Sequence, residues 1–325
     1  MSLRVLSSAL LAAATVSARS LLVRAGDDAP VDKSHAEAIY STTIKPSPNA
    51  TSSDDLPVIN EWSPDYAGFN LKWLEPFWGN AGQMVNEANW EIITNINVNN
   101  EWQKYTRSTQ NMQISGGGTL QIVPVLDHAT GQWTSGRVES WYTFTPTDGK
   151  VTLAEAKIRF GDAPYGNKQG IWPAFWILGD SIRHGVGWPA CGEIDIMERV
   201  NGPTTGYGTI HCDRYPDGAC REPQGRGASV EFFDNGWHTW RVQWDRTPGN
   251  WADESLTWFV DGRQFHRVAA WELGQGVWES LAARPLHFIL NVAVGGNWPG
   301  APNDQTWDWW GNMMEVAYVA HYESQ

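Results

Sequence analysis

Short runs with the two-residue alternation of β-strands dominate the chain from Leu56 onward, with almost no helical period. Residues 237–244 give the clearest run, in which a face of His, Trp and Val side chains alternates with a polar face. Residues 256–260 lead into Asp261-Gly262, a dipeptide typical of a hairpin turn, and residues 263–268 return. Further strands are expected at 120–122, 138–144, 286–294 and 313–322. This pattern predicts an all-β sandwich or barrel, formed as one domain by residues 56–325.

The first 55 residues have the composition of segments outside a folded core. Residues 1–18 combine a positive start, a short apolar stretch and a small-residue cleavage site, which predicts a secretory signal peptide. Residues 19–55 are expected to form a propeptide or flexible linker, and they contain the glycosylation sequon Asn49-Ala50-Thr51. No later apolar run is long enough to cross a bilayer, and the polar C-terminus lacks a lipid-anchor signal. A secreted, extracellular protein is therefore expected.

The chain carries a formal charge of −13 and 21 tryptophans. An acidic surface repels nucleic acid and anionic membranes, and it favours a neutral or cationic partner. Many of the tryptophans are expected in the core, but an indole ring also fits the C–H face of a pyranose and its hydroxyl rim. The number of tryptophans alone does not choose between these two roles. We expect a monomer whose partner is a polysaccharide, and neither nucleic acid nor a membrane.

Three cysteines, Cys191, Cys212 and Cys220, leave one thiol over in any intramolecular disulfide arrangement. Cys212 and Cys220 flank a short turn-rich loop, which favours their pairing, and a bond between Cys191 and Cys212 is the alternative. No neighbouring His pattern predicts a zinc site or a cysteine nucleophile. A disulfide agrees with the expected secretion.

The strand with the most unusual composition is Glu-Ile-Asp-Ile-Met-Glu at residues 193–198. Residues two apart in a strand share a face, so Glu193 and Asp195 point the same way, whereas strict alternation turns Glu198 to the opposite face. A β-bulge at Ile196-Met197 would bring Glu198 back to the acidic face. Because the intervening residues are apolar, the strand is expected to be central, and its acidic face has to line a solvated groove.

Neighbouring carboxylates separate one another's pKa values, so that one stays ionised while another keeps its proton. Glycoside hydrolysis needs this division, because one carboxylate attacks the sugar and the other protonates the leaving oxygen. Asp195, between the other two acids, is expected to share a proton with the nucleophile and to orient it. The chain has no Gly-x-Ser-x-Gly, His-Glu-x-x-His or phosphate-loop motif. No cofactor or catalytic metal is expected, and a structural Ca²⁺ on oxygen ligands is compatible with the sequence.

Residues 193–198 resemble the active-site strand of glycoside hydrolase family 16, and in particular of its laminarinase-like endo-β-1,3(4)-glucanases. Further similar segments follow in the family's order over about residues 60–325. They are Asn99-Asn100-Glu101 with Gln103 and Tyr105, Thr134-Ser135-Gly136-Arg137, Trp172-Pro173-Ala174-Phe175-Trp176, Trp188-Pro189, Thr209-Ile210-His211, Trp237-His238, Asn291-Val292-Ala293-Val294-Gly295-Gly296 and Trp298-Pro299-Gly300. The acidic strand and the Trp-Pro-Ala-Phe-Trp segment together are highly specific.

The resemblance implies a jelly-roll β-sandwich (concanavalin A-like) with a concave substrate cleft, and hydrolysis with retention through a covalent glycosyl-enzyme. Glu193 would be the nucleophile and Glu198 the acid/base, with Asp195 as the third catalytic acid. The substrate-binding residues would be Trp172, Trp176, Trp188, Trp298, His211, Arg137, Asn100 and Glu101. A structural role is the alternative for His211, and a structural salt bridge for Arg137.

In the family that the chain resembles, the form of the acidic motif that includes Met197 goes with laminarinases and galactan-cleaving relatives. The resemblance therefore implies a β-1,3-glucan as substrate, with mixed β-1,3/1,4-glucan as a further substrate. Two segments depart from the family's pattern, residues 151–157 and residues 180–186, and both are expected to reshape the subsites. The alternatives are a β-1,3-galactan-cleaving or transglycosylating relative, and a non-catalytic carbohydrate-binding protein on the same fold.

Overall fold

The computed structural model describes residues 63–232 and 234–325. The predicted signal peptide, the predicted linker with its sequon, and the first residues of the predicted domain lie outside these ranges. Within them, no helix has both the length and the apolar character needed to span a membrane.

The described residues form β-strands with few helices. The strands are β1 (Phe69–Glu75), β2 (Trp90–Ile92), β3 (Gln103–Tyr105), β4 (Met112–Ile114), β5 (Leu120–Ile122), β6 (Val125–Asp127), β7 (Gln132–Ser135), β8 (Arg137–Phe144), β9 (Val151–Phe160), β10 (Ile171–Gly179), β11 (Glu193–Glu198), β12 (Thr205–His211), β13 (Arg226–Glu231), β14 (His238–Asp245), β15 (Ser255–Val260), β16 (Arg263–Ala269), β17 (Leu286–Val294) and β18 (Met314–Ser324). The helices are α1 (Gln275–Ala282) and the 3-10 helices Tyr165–Asn167, Asp180–His184, Trp251–Asp253, Ala270–Glu272 and Trp309–Asn312.

Two large antiparallel sheets pack as a jelly-roll β-sandwich, which confirms the predicted fold class. One sheet has the order β16-β15-β14-β9-β18-β5-β4, with β1 also paired to β18. The other has the order β13-β12-β11-β10-β17-β8-β2, and we call it the site sheet. A small third sheet, β3-β7-β6, contains the parallel pair β3–β7. In the site sheet, β11 and β10 are central, as the apolar residues of β11 predict.

The alternation read from the sequence sets the faces of the strands. Buried and partly exposed residues alternate without interruption along β14, as predicted. Strands β15 and β16 form the predicted hairpin, and both turn residues, Asp261 (φ 49°) and Gly262 (φ 75°), are left-handed, as a type I′ turn requires. All nine residues of β17 are buried, which agrees with its central place in the site sheet.

The tryptophans divide between the core and the surface. Five are almost fully buried in the main core: Trp90, Trp240, Trp244, Trp258 and Trp278. Nine in the described ranges are exposed: Trp78, Trp102, Trp141, Trp188, Trp271, Trp298, Trp307, Trp309 and Trp310. Large exposed indoles are costly to keep in water unless they bind something, so the surface set is a source of candidate ligand contacts.

The two segments that depart from the family's pattern lie in different places. Residues 151–157 belong to β9, which pairs with β14 and β18 in the sheet opposite the site sheet. The expectation that this segment reshapes the subsites is therefore wrong. Residues 180–184 form a 3-10 helix directly after β10, where Asp180 and Arg183 form an ion pair at the end of the site sheet.

Candidate active site

Strand β11 contains the predicted bulge. Asp195 pairs with Thr209 and Glu198 with Tyr207, so that Ile196 and Met197 together face the single residue Gly208 of β12. The register with β10 shifts at the same place. The bulge therefore turns Glu198 to the face of the sheet that carries Glu193 and Asp195.

The bulge interrupts the regular register of β11 and β12 at Asp195. Trp258, from the opposite sheet, provides a hydrogen-bond donor for the Asp195 carbonyl there. Its indole Nε1–H donates to the Asp195 carbonyl oxygen at 2.8 Å. A Cβ on Gly208 would lie 2.5 Å from the Trp258 ring, so the indole can approach only because residue 208 has no side chain. A buried backbone acceptor is thus satisfied from the core side of the sheet.

The acidic strand separates an apolar face from a polar one. Ile194, Ile196 and Met197 are fully buried in the main core. Asp195 and Glu198 are exposed by 4% and 8%, whereas Glu193 is more accessible. Asp195 and Glu198 are therefore almost closed off from water, and Glu193 is the most accessible of the three carboxyl groups.

Burial raises the pKa of all three carboxyl groups. The pKa of Glu198 rises to about 7, because burial outweighs the hydrogen bond from Trp172 and the charge of His211, which lower it. Burial and the neighbouring carboxylates hold the pKa of Asp195 well above its usual range. Burial also raises the pKa of Glu193, against the lowering effect of His211 and Arg137. Close, unequal carboxyl groups of this kind are suited to proton transfer near neutral pH.

Aromatic side chains surround the Glu198 end of β11. The indole Nε1–H of Trp172 donates to Glu198 Oε1 at 3.0 Å. The ring of Trp298 packs edge-on against Trp172, with centroids 5.5 Å apart, and against Tyr207, with centroids 4.9 Å apart. Trp298 is 43% exposed, so one ring surface remains accessible to a sugar.

Charged side chains surround the Glu193 end. One ligand atom each of Glu193, Asp195 and His211 lies within 4.8 Å of the others. His211 Nε2 lies 3.6 Å from Asp195 Oδ2, and its Nδ1 lies 2.7 Å from Glu222 Oε2. The ring of Trp188, 42% exposed, has its centroid 5.7 Å from that of His211.

A chain of hydrogen bonds runs from Trp176 across the site sheet. The Trp176 indole donates to Asn291 Oδ1 at 2.7 Å, and the Asn291 amide donates to the Tyr105 hydroxyl at 3.1 Å. Arg137 is buried, donates to Glu139 Oε1 through two nitrogens, and lies 4.8 Å from the centre of the Trp176 ring. The ion pair with Glu139 agrees with the alternative prediction that Arg137 forms a structural salt bridge. The charge of Arg137 also lowers the pKa of Glu193.

Asn100 and Glu101 lie in the loop between β2 and β3, which contacts the residues that follow β17. Asn100 Nδ2 donates to Asn297 Oδ1 at 2.7 Å. Glu101 Oε2 accepts from Gln103 at 2.6 Å, and a Cβ on Gly296 would lie 3.5 Å from both Glu101 and the Trp172 ring. The loop therefore forms the wall of the groove next to Trp172, on the Glu198 side.

The structure thus brings every predicted site residue to the site sheet or its bordering loops. Four contributing residues were not assigned by sequence reasoning. Tyr105 and Asn291 belong to motifs quoted for the resemblance, so their sequence signal was present. Tyr207 and Glu222 had no such signal, because each acts through a contact that the linear sequence does not show.

The favoured disulfide is present: Cys212 is bonded to Cys220, and Cys191 is a free, buried thiol. Burial raises the pKa of the Cys191 thiol to about 12, which favours the protonated thiol. In the described ranges, the acid and histidine side chains with a spacing that could hold a metal ion are those of Glu193, Asp195 and His211.

The chain was compared with known proteins. The family model described as "XgeA-like, catalytic GH16 domain" matches residues 91–251. A crystal structure of endo-1,3-beta-glucanase from Streptomyces sioyaensis superposes with a TM-score of 0.76 at 33% identity, covering 81% of this chain and 99% of that one. A beta-glucanase of Rhodothermus marinus is 32% identical over 62% of this chain and 67% of its own length.

A third relative, glucan endo-1,3-beta-glucosidase A1 of Niallia circulans, is 29% identical over 86% of this chain. This chain spans only 42% of that relative's length. The jelly-roll fold, with three carboxyl groups on one face of β11, places the chain in the class of glycoside hydrolase catalytic domains. The chain belongs to glycoside hydrolase family 16.

Proposed function

We propose that this chain is a retaining endo-β-glucanase that hydrolyses β-1,3-linked glucan, and mixed β-1,3/1,4-glucan as well. The observation that carries the proposal is the bulge in β11, which places Glu193, Asp195 and Glu198 on one groove-facing side of a central strand. A carbohydrate-binding protein on this fold would need neither the buried acids nor their raised pKa values.

The roles of the acids follow from their surroundings. Glu198, with a pKa of about 7, is protonated in part at neutral pH and donates its proton to the glycosidic oxygen as the bond breaks. The Glu193 carboxylate attacks the anomeric carbon and forms a glycosyl-enzyme. Glu198 then removes a proton from water, which attacks the same carbon and releases Glu193. Two inversions leave the product with the β configuration of the substrate.

Asp195 lies between the two glutamates in sequence and shares their face. Burial and the neighbouring carboxylates raise its pKa well above the usual range, which favours the protonated form. A protonated Asp195 adds no negative charge beside the Glu193 carboxylate and has a hydrogen bond to donate. It is therefore suited to orient the nucleophile, as expected from the sequence.

The substrate assignment rests on the aromatic groups and on the relatives. Trp298 and Trp188 leave exposed ring surfaces at opposite ends of β11, which suits sugar units on either side of the cleaved bond. The Streptomyces sioyaensis structure is described as an endo-1,3-beta-glucanase, and Trp298 and Trp188 are compatible with such a substrate here. We further propose that the enzyme is secreted, since residues 1–18 have a signal-peptide pattern. We also propose that it is a monomer and needs no cofactor.

A polysaccharide panel with product sizing tests the proposal. Laminarin should be cut faster than cellulose, xylan, β-1,3-galactan or agarose, and early products should span many lengths, as endo action requires. Proton NMR of the first product should show the β-anomer before mutarotation. Faster cleavage of a galactan, transfer products without hydrolysis, or an initial α-anomer would contradict the substrate, the reaction or the retention, respectively.

A further inference from the structure

Glu222 is a buried carboxylate that the reaction above does not use. It is 2% exposed, and its two oxygens accept from two different donors. Oε1 accepts from the backbone N–H of Cys212 at 2.9 Å, and Oε2 lies 2.7 Å from His211 Nδ1. A buried carboxylate is costly unless its lone pairs are satisfied. Here the two partners are His211, the last residue of β12, and Cys212, which follows it.

The contact with Glu222 determines which nitrogen of His211 carries a proton. A carboxylate oxygen only accepts, so Nδ1 has to be the donor. The other nitrogen, Nε2, then faces Asp195 Oδ2 at 3.6 Å. Burial lowers the pKa of His211, but the bond to Glu222 and the charges of Glu193, Glu222 and Glu198 outweigh it, so that the net shift is upward.

The surrounding loop allows Glu222 little freedom. Glu222 lies just beyond the segment that the Cys212–Cys220 disulfide closes, and its backbone exchanges two hydrogen bonds, at 2.9 and 2.6 Å, with Asp217 inside that segment. On the far side of the imidazole, a Cβ on Gly225 would lie 2.8 Å from His211 Cε1. Gly225 has a φ of 71°, which favours glycine, and its bare Cα leaves room for the ring.

We propose that Glu222 is a positioning residue, held by the Cys212–Cys220 loop, that fixes the orientation and protonated nitrogen of His211 so that Nε2 faces Asp195 and the nucleophile. Glu222 touches neither the reacting atoms nor the groove. The inference rests on the proposed hydrolysis, because its kinetic effect is read through that reaction. The carboxyl and imidazole groups that face one another here are Glu193, Asp195, Glu198, His211 and Glu222.

Glu222→Gln tests the proposal with a specific expectation. Glutamine has one acceptor oxygen, and the Cys212 N–H requires it, so the amide NH₂ would then face His211 Nδ1. This arrangement favours the tautomer protonated at Nε2. We expect kcat on laminarin to fall about tenfold, the low end of what loss of an orienting partner costs, with KM changed less than about twofold.

A double-mutant cycle separates positioning from loop structure. In a His211→Gln background, Glu222→Gln should change kcat less than about twofold further, because coupled residues are not additive. Asp213→Asn is the matched control, since Asp213 lies in the same loop and accepts from Ala219 N without touching His211. Full additivity in the cycle, or an equal loss of kcat in Asp213→Asn, would overturn the proposal.

Ring ¹⁵N shifts of His211 provide a readout that needs no substrate. The wild type should show a protonated Nδ1, and Glu222→Gln should show Nε2 protonation at alkaline pH. An unchanged tautomer contradicts the positioning role even if the enzyme is active. If the wild type cleaves no polysaccharide while the tautomer changes as expected, the proposed function fails and the positioning of His211 is upheld.

Discussion

The two ends of β11 hold chemically similar carboxyl groups in different surroundings. Glu198 accepts a hydrogen bond from the neutral indole of Trp172, among aromatic rings. Glu193 lies near His211, whose other nitrogen contacts the Glu222 carboxylate. Burial raises the pKa at both ends, so burial alone does not divide the roles. The charge of His211 lowers the pKa of both glutamates, but Arg137 lowers only that of Glu193, the proposed nucleophile, and the Trp172 hydrogen bond acts only on Glu198, the proposed acid/base.

Replacement of the nucleophile should have the largest effect. Glu193→Gln should lower kcat by at least about a thousandfold, with the melting temperature nearly unchanged, because glutamine keeps the shape without the attacking oxygen. Azide should restore activity to Glu193→Ala and give the α-glycosyl azide, since only one inversion then occurs. A β-azide from Glu193→Ala would show that the roles of Glu193 and Glu198 are reversed, and retained turnover in Glu193→Gln would exclude Glu193 from the reaction.

Replacement of the acid/base should have a smaller effect that depends on the leaving group. Glu198→Gln should lower kcat on laminarin about a hundredfold, within the usual contribution of general acid catalysis. An aryl glucoside with a good leaving group should lose much less in its first step. With Glu198→Ala, azide should give the β-glycosyl azide, because it attacks the glycosyl-enzyme. Equal losses for both leaving groups would argue against Glu198 as the proton donor.

Loss of an aromatic platform should weaken binding by a moderate amount. Trp298→Ala should raise KM for laminarin about threefold to tenfold with a smaller change in kcat, as expected for the loss of about 0.5–1.5 kcal/mol of ring contact. Trp78→Ala is the control, because Trp78 is 53% exposed but lies next to Gly118, in the turn between β4 and β5 of the opposite sheet. An equal rise of KM in the control would place the effect outside the groove.

The pH profile should show the smallest but most specific effect. Glu198 has to be protonated to act as the acid, so kcat/KM should fall as the pH rises through about 7. The Trp172 hydrogen bond favours the ionised form and lowers that pKa. Trp172→Phe should therefore move the alkaline limb to higher pH, while activity at its own optimum changes only severalfold. A limb that stays in place or moves to lower pH would exclude this hydrogen bond as the cause.

The alternation of faces along a β-strand was enough to predict the bulge. Glu198 reaches the face of Glu193 and Asp195 only if one extra residue is inserted between Asp195 and Glu198. The hairpin at Asp261-Gly262 was predictable for a similar reason, since a local turn needs local residues. The support from Trp258 to the Asp195 carbonyl was not predictable, because it comes from the other sheet, 63 residues away. Likewise, no local pattern marks Glu222 as the partner of His211, and β9 could not be assigned to a sheet from its composition.

The bulge also has a consequence for insertions and deletions in this strand. From Glu193 to Glu198, β11 advances five residues, whereas its partner advances only four, from His211 to Tyr207. The spacing of the outer acids is thus determined by β12 and not by the number of residues between them. A chain that lost Met197 would reach the same partner with regular alternation and keep its acid on the groove side. Relatives can therefore gain or lose this residue without losing the face on which catalysis depends.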